Sequence, residues 1–392
     1  MTAVARRRRW RRWLSCSSDD AHGAIRRGGD GARRNGTHTL DYRGGLIDKE
    51  SGGSLWPRAL IFMPDPIALV TSPTVLHRQS DIPIFKVQGF DGYDFAALGV
   101  TDQFLDNAAA YFEKYTNPAH FRDLYRLGLK AIDLPDGPLS VLDIGTGGGN
   151  SIFAIYDILG KERVNALGVD ISPQLLELCG LVAERDYALD GCSLSLLCAN
   201  LYDLDLKRGS VDLVTGSSIL HHMLDPQPIV ELTVMALKPG GSVIFTEPFE
   251  DAYGILRTAY ATITSVSERL NDPLPEDFAT FIQEFSQDFD ARRGIGDVRT
   301  YTQYLDDKWY FTRSWFQDLA RALECDVKII PTHGGHDIFW NEAVAHSRLH
   351  NGADAALLPE WAQTVITGFD QSFSPAQINE FAFTGIVIFT KR

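Results

Sequence analysis

A glycine-rich turn near the middle of the chain has the composition of a loop that binds a nucleotide-like ligand. An apolar run over 139–144 carries Asp143 near its end, and glycines follow at positions 145, 147 and 149. Glycine permits positive φ angles and lets the backbone approach a ligand closely. A helical pattern over 151–159 would present its free N–H groups at the same place. Because Asp143 would repel a pyrophosphate, the turn favours a ligand with a cationic amino-acid end.

Polar residues follow the next predicted strands. Asp170 ends the second strand, where a carboxylate can accept hydrogen bonds from two ribose hydroxyls. Asn200 and Leu201 follow the third strand, where a side-chain amide and the adjacent backbone can bind the edge of an adenine. Together with the glycine turn, these residues predict an adenosine-type ligand at one edge of the sheet.

Histidines and a glutamate at the ends of later strands are candidates for general acid–base chemistry. His221 and His222 follow the fourth strand, Glu247 ends the fifth, and His336 lies in a glycine-containing loop after the sixth. Histidine suits proton transfer near neutral pH. Each of these residues also has a plain structural interpretation, as packing at a helix start or in a loop. The pair His333 and His336 has no evident third ligand, so we predict no metal site.

Strand-like and helix-like segments alternate from residue 139 to residue 247 and predict parallel β-α-β units covered on both faces. This order of motifs resembles the class I S-adenosylmethionine-dependent methyltransferases. The motifs that carry the resemblance are the turn 143–149, Val169-Asp170-Ile171-Ser172-Pro173, Asn200, Val211-Asp212-Leu213-Val214 and Leu237-Lys238-Pro239-Gly240-Gly241. The resemblance implies an α/β fold with a seven-stranded, mostly parallel, doubly wound sheet.

The resemblance also implies S-adenosyl-L-methionine as the cofactor and assigns roles to residues. The methionine part would contact Asp143, Gly145, Thr146 and Gly147. Asp170 would hold the ribose and Ile171 would pack on the adenine, whose edge Asn200 and Leu201 would bind. Ser217 would lie beside the sulfonium, and Tyr111 and Tyr115 would close the pocket.

The remaining segments predict additions to this core. Residues 1–38 form an arginine-rich tail expected to be disordered, and 39–104 a small β-containing appendage. Residues 105–392 form the methyltransferase domain, with a helical lid over 250–308 and a second, irregular insertion over 332–372. Tyr253 in the aromatic-rich lid, Tyr310 directly after it and His336 are candidates to line the binding site of the methyl acceptor.

Charge narrows the classes of partner. Residues 1–35 carry ten arginines and three aspartates, a net charge of +7. Because the whole chain has a net charge of −14, the other 357 residues carry a net charge of −21. Such an acidic body repels polyphosphate and argues against DNA as a partner. No apolar run has the roughly 20 residues that cross a bilayer, and the five scattered cysteines suit a reducing compartment, the cytoplasm.

The sequence therefore predicts methyl transfer to a small-molecule or lipid-like acceptor, at an oxygen, nitrogen or carbon atom. An RNA methyltransferase that uses the basic tail remains an alternative, as does a non-catalytic partner that only binds the cofactor. A homodimer is left open.

Overall fold

The computed structural model describes residues 66–70, 73–77, 82–190, 193–350 and 352–392. The predicted tail and residues 39–65 of the predicted appendage lie outside the described residues. The described residues form one sheet with helices on both faces. A further group of helices packs together into a cluster of its own.

The strands and helices are numbered here in chain order. The strands are β1 Thr74–His77, β2 Ile84–Lys86, β3 Leu139–Ile144, β4 Val164–Asp170, β5 Leu194–Cys198, β6 Val211–Ser217, β7 Leu237–Pro248, β8 Cys325–Pro331 and β9 Thr384–Lys391. The helices are α1 Ala108–Tyr115, α2 Pro118–Leu129, α3 Asn150–Leu159, α4 Pro173–Tyr187, α5 Gln227–Ala236, α6 Glu250–Leu270, α7 Glu276–Arg292, α8 Arg313–Ala322, α9 Ile338–Arg348, α10 Glu360–Ser372 and α11 Pro375–Ile378.

The strand order is β1-β2-β5-β4-β3-β6-β7-β9-β8. From β5 to β8 it contains seven strands, and β9 runs antiparallel to both of its neighbours. This confirms the predicted mostly parallel α/β sheet. Two more strands extend it, because β2 pairs parallel with β5 and β1 pairs antiparallel with β2. Strands β1 and β2 thus cover the edge of β5, which would otherwise expose unpaired backbone groups.

Apolar clusters lie on both faces of the sheet. All seven residues of β4 are buried, as expected for a parallel strand covered by helices on both sides. Along β3, Leu142 and Ile144 belong to one cluster and Val141 to the other, because successive side chains point to opposite faces. This rigid layer holds the carboxyl ends of the strands in place.

Helices α6, α7, α9 and α10 pack together into a third apolar cluster, which we call the helical cap. Its core includes Leu256, Phe278, Phe339 and Ile366. The prediction that 332–372 is irregular was wrong, since α9 and α10 lie within it. The glycines before α9 and Pro359 before α10 suggested a long loop. In the structure they lie in short connections next to these helices. No helix among the described residues is both long and apolar enough to cross a membrane.

Candidate active site

A pocket lies at the carboxyl ends of β3, β4, β5 and β6, and we call it the cofactor pocket. The space between its walls is about 810 Å³, open solvent included. Eight of the eleven residues predicted to bind the cofactor form part of its wall: Tyr111, Gly145, Gly147, Asp170, Ile171, Asn200, Leu201 and Ser217. Sequence reasoning missed the segment Leu98, Gly99 and Val100, which closes the pocket from outside the strand–helix pattern.

The glycine turn needs its glycines for two different reasons. Gly145 and Gly147 have φ angles of +62° and +51°, which side chains rarely adopt. A Cβ on Gly145 would lie 2.5 Å from Ile219, whereas a Cβ on Gly147 would meet nothing closer than 4.0 Å. Because Gly147 lines the pocket, that free space belongs to the ligand.

Asp143 and Thr146 lie behind the pocket wall. Asp143 is fully buried, and Thr215 Oγ1 donates a hydrogen bond to its Oδ1 at 2.6 Å. Thr146 Oγ1 donates to the Asp143 carbonyl oxygen at 3.0 Å. Burial raises the pKa of Asp143 to about 7, although the hydroxyl groups of Thr215 and Thr146 lower it. The turn therefore contains a carboxyl group that a nearby cation would ionise.

Asp170 organises the turn as well as lining the pocket. Gly147 N donates to its Oδ2 at 2.8 Å, and Ser172 N donates to its Oδ1 at 2.8 Å. Burial raises the pKa of Asp170, and the backbone donors from Ser172 and Gly147 lower it. Each carboxylate oxygen accepts more than one hydrogen bond, so a ribose diol can still be bound here.

The amide of Asn200 is largely used within its own turn. Its Oδ1 accepts from Tyr202 N at 3.2 Å, and its Nδ2 donates to Asp203 Oδ2 at 2.9 Å. The Oδ1 atom keeps a second lone pair for the amino group of an adenine. Ile171 and Leu201 supply apolar surface in the same wall.

Aromatic side chains from α1 and α2 support the other side. The Tyr111 ring lines the pocket and contacts the ring of Tyr115 at 4.6 Å between centroids. Tyr115 itself lies behind Tyr111 and is absent from the pocket wall. The hydroxyls of Tyr125 and Ser217 are 2.9 Å apart and hydrogen-bonded.

A second cavity lies between the strand ends and the helical cap, and we call it the acceptor pocket because we propose that the methyl acceptor binds there. It encloses about 840 Å³, open solvent included, and its wall contains His221, Glu247, Tyr253, Arg292, Asp307 and Tyr310. Ser218 lines both pockets and has a φ of +54°. Such a conformation is strained for a residue with a side chain and occurs often at functional sites. His336 is exposed and is in neither wall.

Glu247 holds the turn after β6. Its carboxylate accepts hydrogen bonds from the backbone N–H groups of Ile219, Leu220 and His221, at 3.1, 2.8 and 3.3 Å. It also lies 2.7 Å from His221 Nδ1. A carboxylate with four partners at 0% exposure is committed to positioning, and this geometry argues against Glu247 as a catalytic base.

The two adjacent histidines have opposite electrostatic environments. Burial lowers the pKa of His221, but Glu247 and Asp307 outweigh it and raise the value to about 9. Burial and the neighbouring His221 lower the pKa of His222 to about 3. For Asp307, burial opposes ionisation, yet Arg292 and His221 hold the pKa below its usual range. His222 Nδ1 is 2.9 Å from the carbonyl oxygen of Asp306, so that nitrogen carries the proton.

Residues at the end of the predicted lid and directly after it stabilise this turn. Lys308 N donates to the His221 carbonyl oxygen and Trp309 Nε1 to the Met223 carbonyl oxygen, both at 2.7 Å. The buried Lys308 ammonium donates to the carbonyl oxygens of Gly99 and Leu305, at 3.0 and 2.8 Å. One segment therefore fixes both the histidine turn and the outer wall of the cofactor pocket.

Charged residues on the apolar face of α7 were missed by sequence reasoning. Arg292 Nη1 donates to Tyr310 Oη at 3.0 Å and to Asp288 Oδ2 at 3.2 Å, and Tyr310 Oη donates to Asp288 Oδ2 at 2.8 Å. Asp288 Oδ1 and Arg292 Nε are buried without a hydrogen-bond partner among the described residues. The signal was available, because Asp288 and Arg292 continue the helical spacing of Phe281 and Phe285.

Comparisons with known proteins agree with this geometry. Residues 142–245 match the family model described as a methyltransferase domain. The central segment of the chain is therefore similar to methyltransferase domains. The ubiquinone biosynthesis O-methyltransferase of Idiomarina loihiensis is 33% identical over 107 residues, which are 27% of this chain and 41% of that protein. Its namesake from Methylococcus capsulatus is 30% identical over 163 residues, 40% of this chain and 62% of that protein.

The chain thus spans about two fifths of the length of the first curated relatives that it matches. Among solved structures, the phosphoethanolamine N-methyltransferase 2 of Haemonchus contortus, in complex with S-adenosyl-L-methionine, is 15% identical with a TM-score of 0.41. That superposition covers 78% of this chain and 60% of the other.

S-adenosylmethionine is the cofactor that this domain implies, and the pocket fits it. The space above Gly147 has room for a ligand, and Asp170 places a carboxylate in the pocket wall. The buried carboxyl group of Asp143 lies behind the turn and would be ionised by a nearby cation, which suits a ligand with a net positive charge.

Proposed function

We propose that this protein transfers the methyl group of S-adenosylmethionine to a hydroxyl oxygen of a small polar acceptor. The observation that carries the proposal is the meeting of two pockets at the strained Ser218. When bound, the cofactor would supply a methyl group activated by its sulfonium and would leave as S-adenosylhomocysteine once the C–S bond is exchanged for a C–O bond, while the acceptor hydroxyl would lose its proton to water. The chain contributes positioning, which accounts for much of the acceleration in an in-line displacement.

The polar groups of the acceptor pocket support an acceptor with two neighbouring oxygens. Asp288 Oδ1 accepts hydrogen bonds and Arg292 Nε donates them, and both are buried and unpaired within the described chain. An unsatisfied buried polar atom costs about 1–3 kcal/mol, so a ligand that pairs both atoms would gain this energy. A hydroxyl beside a carbonyl, carboxyl or second hydroxyl does so, whereas an alkyl chain does not. The names of the ubiquinone O-methyltransferase relatives agree with an oxygen acceptor.

Aromatic side chains of the acceptor pocket also support a small acceptor. The rings of Tyr253 and Tyr310 contact each other at 4.7 Å between centroids, tilted by 40°, and form an aromatic wall beside Arg292. We propose the cytoplasm as the location, and the free, buried cysteines Cys179, Cys198 and Cys325 support it. The domain boundaries, the site roles and the homodimer stay predictions.

The test is a methyl-transfer assay with S-adenosylmethionine and acceptors that carry a hydroxyl beside a second oxygen, such as catechols and aromatic hydroxy acids. Release of S-adenosylhomocysteine should depend on the acceptor. Asp288→Asn should raise the acceptor KM by about tenfold or more, since a hydrogen bond to a charged group contributes about 1.5–3 kcal/mol. Its cofactor Kd should stay within about twofold of wild type.

Asp290→Asn is the matched control, because it makes the same change on the same helix at a residue that pairs with Arg257 outside the pocket. It should leave the acceptor KM unchanged. Cofactor binding without turnover on any acceptor of the panel would overturn the proposal and favour a non-catalytic binding protein.

A further inference from the structure

His221, His222 and Asp307 bring three metal-ligating groups together between the two pockets. One nitrogen from each histidine and a carboxylate oxygen of Asp307 lie within 4.8 Å of one another. His221 and Asp307 line the acceptor pocket, and His222 lines the cofactor pocket. We propose that these three residues bind a divalent transition-metal ion of the zinc, manganese or iron(II) type.

The distances fit a shared ion better than direct pairing. Asp307 Oδ1 lies 3.5 Å from His221 Nε2 and 3.4 Å from His222 Nδ1. A charge-assisted N–H···O bond is shorter, about 2.7–2.9 Å. Two ligands on one tetrahedral ion with bonds of about 2.0–2.1 Å are about 3.3–3.4 Å apart. Both distances from Asp307 therefore match the spacing of two ligands on one ion, and the third atom pair lies within 4.8 Å.

The surrounding residues orient the ligands as in known metal sites. His221 Nδ1 faces Glu247 Oε2 at 2.7 Å, and metal-binding histidines almost always donate their other N–H to such a partner. Arg292 Nη1 lies 3.6 Å from Asp307 Oδ2, which leaves Oδ1 directed at the histidines. In the metal-free chain His222 Nδ1 donates to the carbonyl oxygen of Asp306 at 2.9 Å, so an ion bound at Nδ1 would replace that proton, which would move to Nε2.

The ligand set selects the class of ion. Two imidazoles and one carboxylate suit zinc, iron and manganese, whereas magnesium and calcium prefer oxygen ligands alone. Three protein ligands leave positions open, as in catalytic sites. An acceptor with two neighbouring oxygens can fill them from the acceptor pocket, where the ion would favour the ionised hydroxyl. This second role rests on the proposed function, while metal binding itself does not.

Titration of the metal-free full-length protein with Co²⁺ tests the site without cofactor or acceptor. The visible absorption of bound Co²⁺ should saturate at one equivalent, and Zn²⁺ should displace it. Asp307→Asn and His222→Gln should each weaken Co²⁺ binding by about 100-fold. His336→Gln makes the same change at an exposed histidine outside the cluster and should bind like wild type.

Circular dichroism and cofactor titration of each variant verify that the fold is retained. No Co²⁺ binding by wild type, or equal binding by folded Asp307→Asn, would overturn the site. Turnover that persists at full rate after chelation would overturn the role in acceptor binding and leave the proposed function standing. Metal binding without any methyl transfer would leave the site standing and count against the proposed function.

Discussion

Binding of the cofactor should release a proton from Asp143. Burial raises its pKa to about 7 in the free chain, and the cofactor carries a net positive charge that favours the ionised form. Binding should therefore release protons near pH 7, and affinity should rise about tenfold from pH 6 to pH 8, since one pKa unit corresponds to about 1.36 kcal/mol. Calorimetry in buffers of different ionisation enthalpy measures the proton release.

Asp143→Asn is the control for this linkage, because an amide oxygen can still accept from Thr215 Oγ1. The variant should lose the dependence of the binding heat on the buffer. An unchanged dependence in the variant would assign the proton to another group, with Asp170 the nearest alternative. No dependence in wild type would contradict the assignment as well.

Individual residues were predictable where one local motif determines them. Asp170 and Gly147 were found because the end of a strand and a glycine turn specify their neighbours. Glu247 was predicted as a candidate base, yet its carboxylate is occupied by the backbone of the turn at 219–221. That backbone is 26 to 28 residues distant along the chain, so sequence spacing gave no indication of the contact.

Among the elements, the helical cap should be the part that controls acceptor binding. Phe278 is 1% exposed in the cap core, against Tyr260 and Phe281. Phe278→Ala should destabilise the cap by about 3–5 kcal/mol. The acceptor KM should rise, whereas cofactor affinity should change by less than about twofold, because β3 to β6 do not contain the altered residue.

Hydrogen exchange read by mass spectrometry can locate the effect of Phe278→Ala. Amides of α6 and α7 should lose protection while those of β3 to β6 keep it. Tyr304→Ala removes an aromatic ring that is 66% exposed. It should change amide protection neither in the cap helices nor in the strands. Equal loss of protection in the cap and the sheet would show that the two do not unfold separately.

The sheet was predictable at the scale of elements, and the cap was not. Strand–helix alternation from β3 to β7 is a short-range pattern that one handedness rule assembles into a sheet. By contrast, α9 and α10 are joined to α6 and α7 through apolar packing and the hydrogen bond from Tyr253 Oη to Glu342 Oε1, all between segments distant in the sequence. Asp307 meets the two histidines across more than 80 positions, and no periodicity encodes that approach.

In the whole molecule two pockets lie next to each other, and the strand ends contribute to both of them. The cofactor pocket is formed by strand ends and glycine turns, and the acceptor pocket by strand ends and the cap. They meet at Ser218, beside the histidine turn that Glu247 and Lys308 fix from opposite sides. The acidic charge of −21 outside the first 35 residues suits a small acceptor better than a polyphosphate.

Calorimetric titration of S-adenosylmethionine into wild type, Gly147→Ala and Gly209→Ala tests the central claim most directly. Both glycines have positive φ angles, +51° and +62°, but only Gly147 lines the cofactor pocket. Wild type and Gly209→Ala should bind one equivalent with similar affinity, and Gly147→Ala should bind at least tenfold more weakly because its Cβ occupies ligand space. Absence of binding in wild type, or equal affinity in Gly147→Ala, would contradict the account.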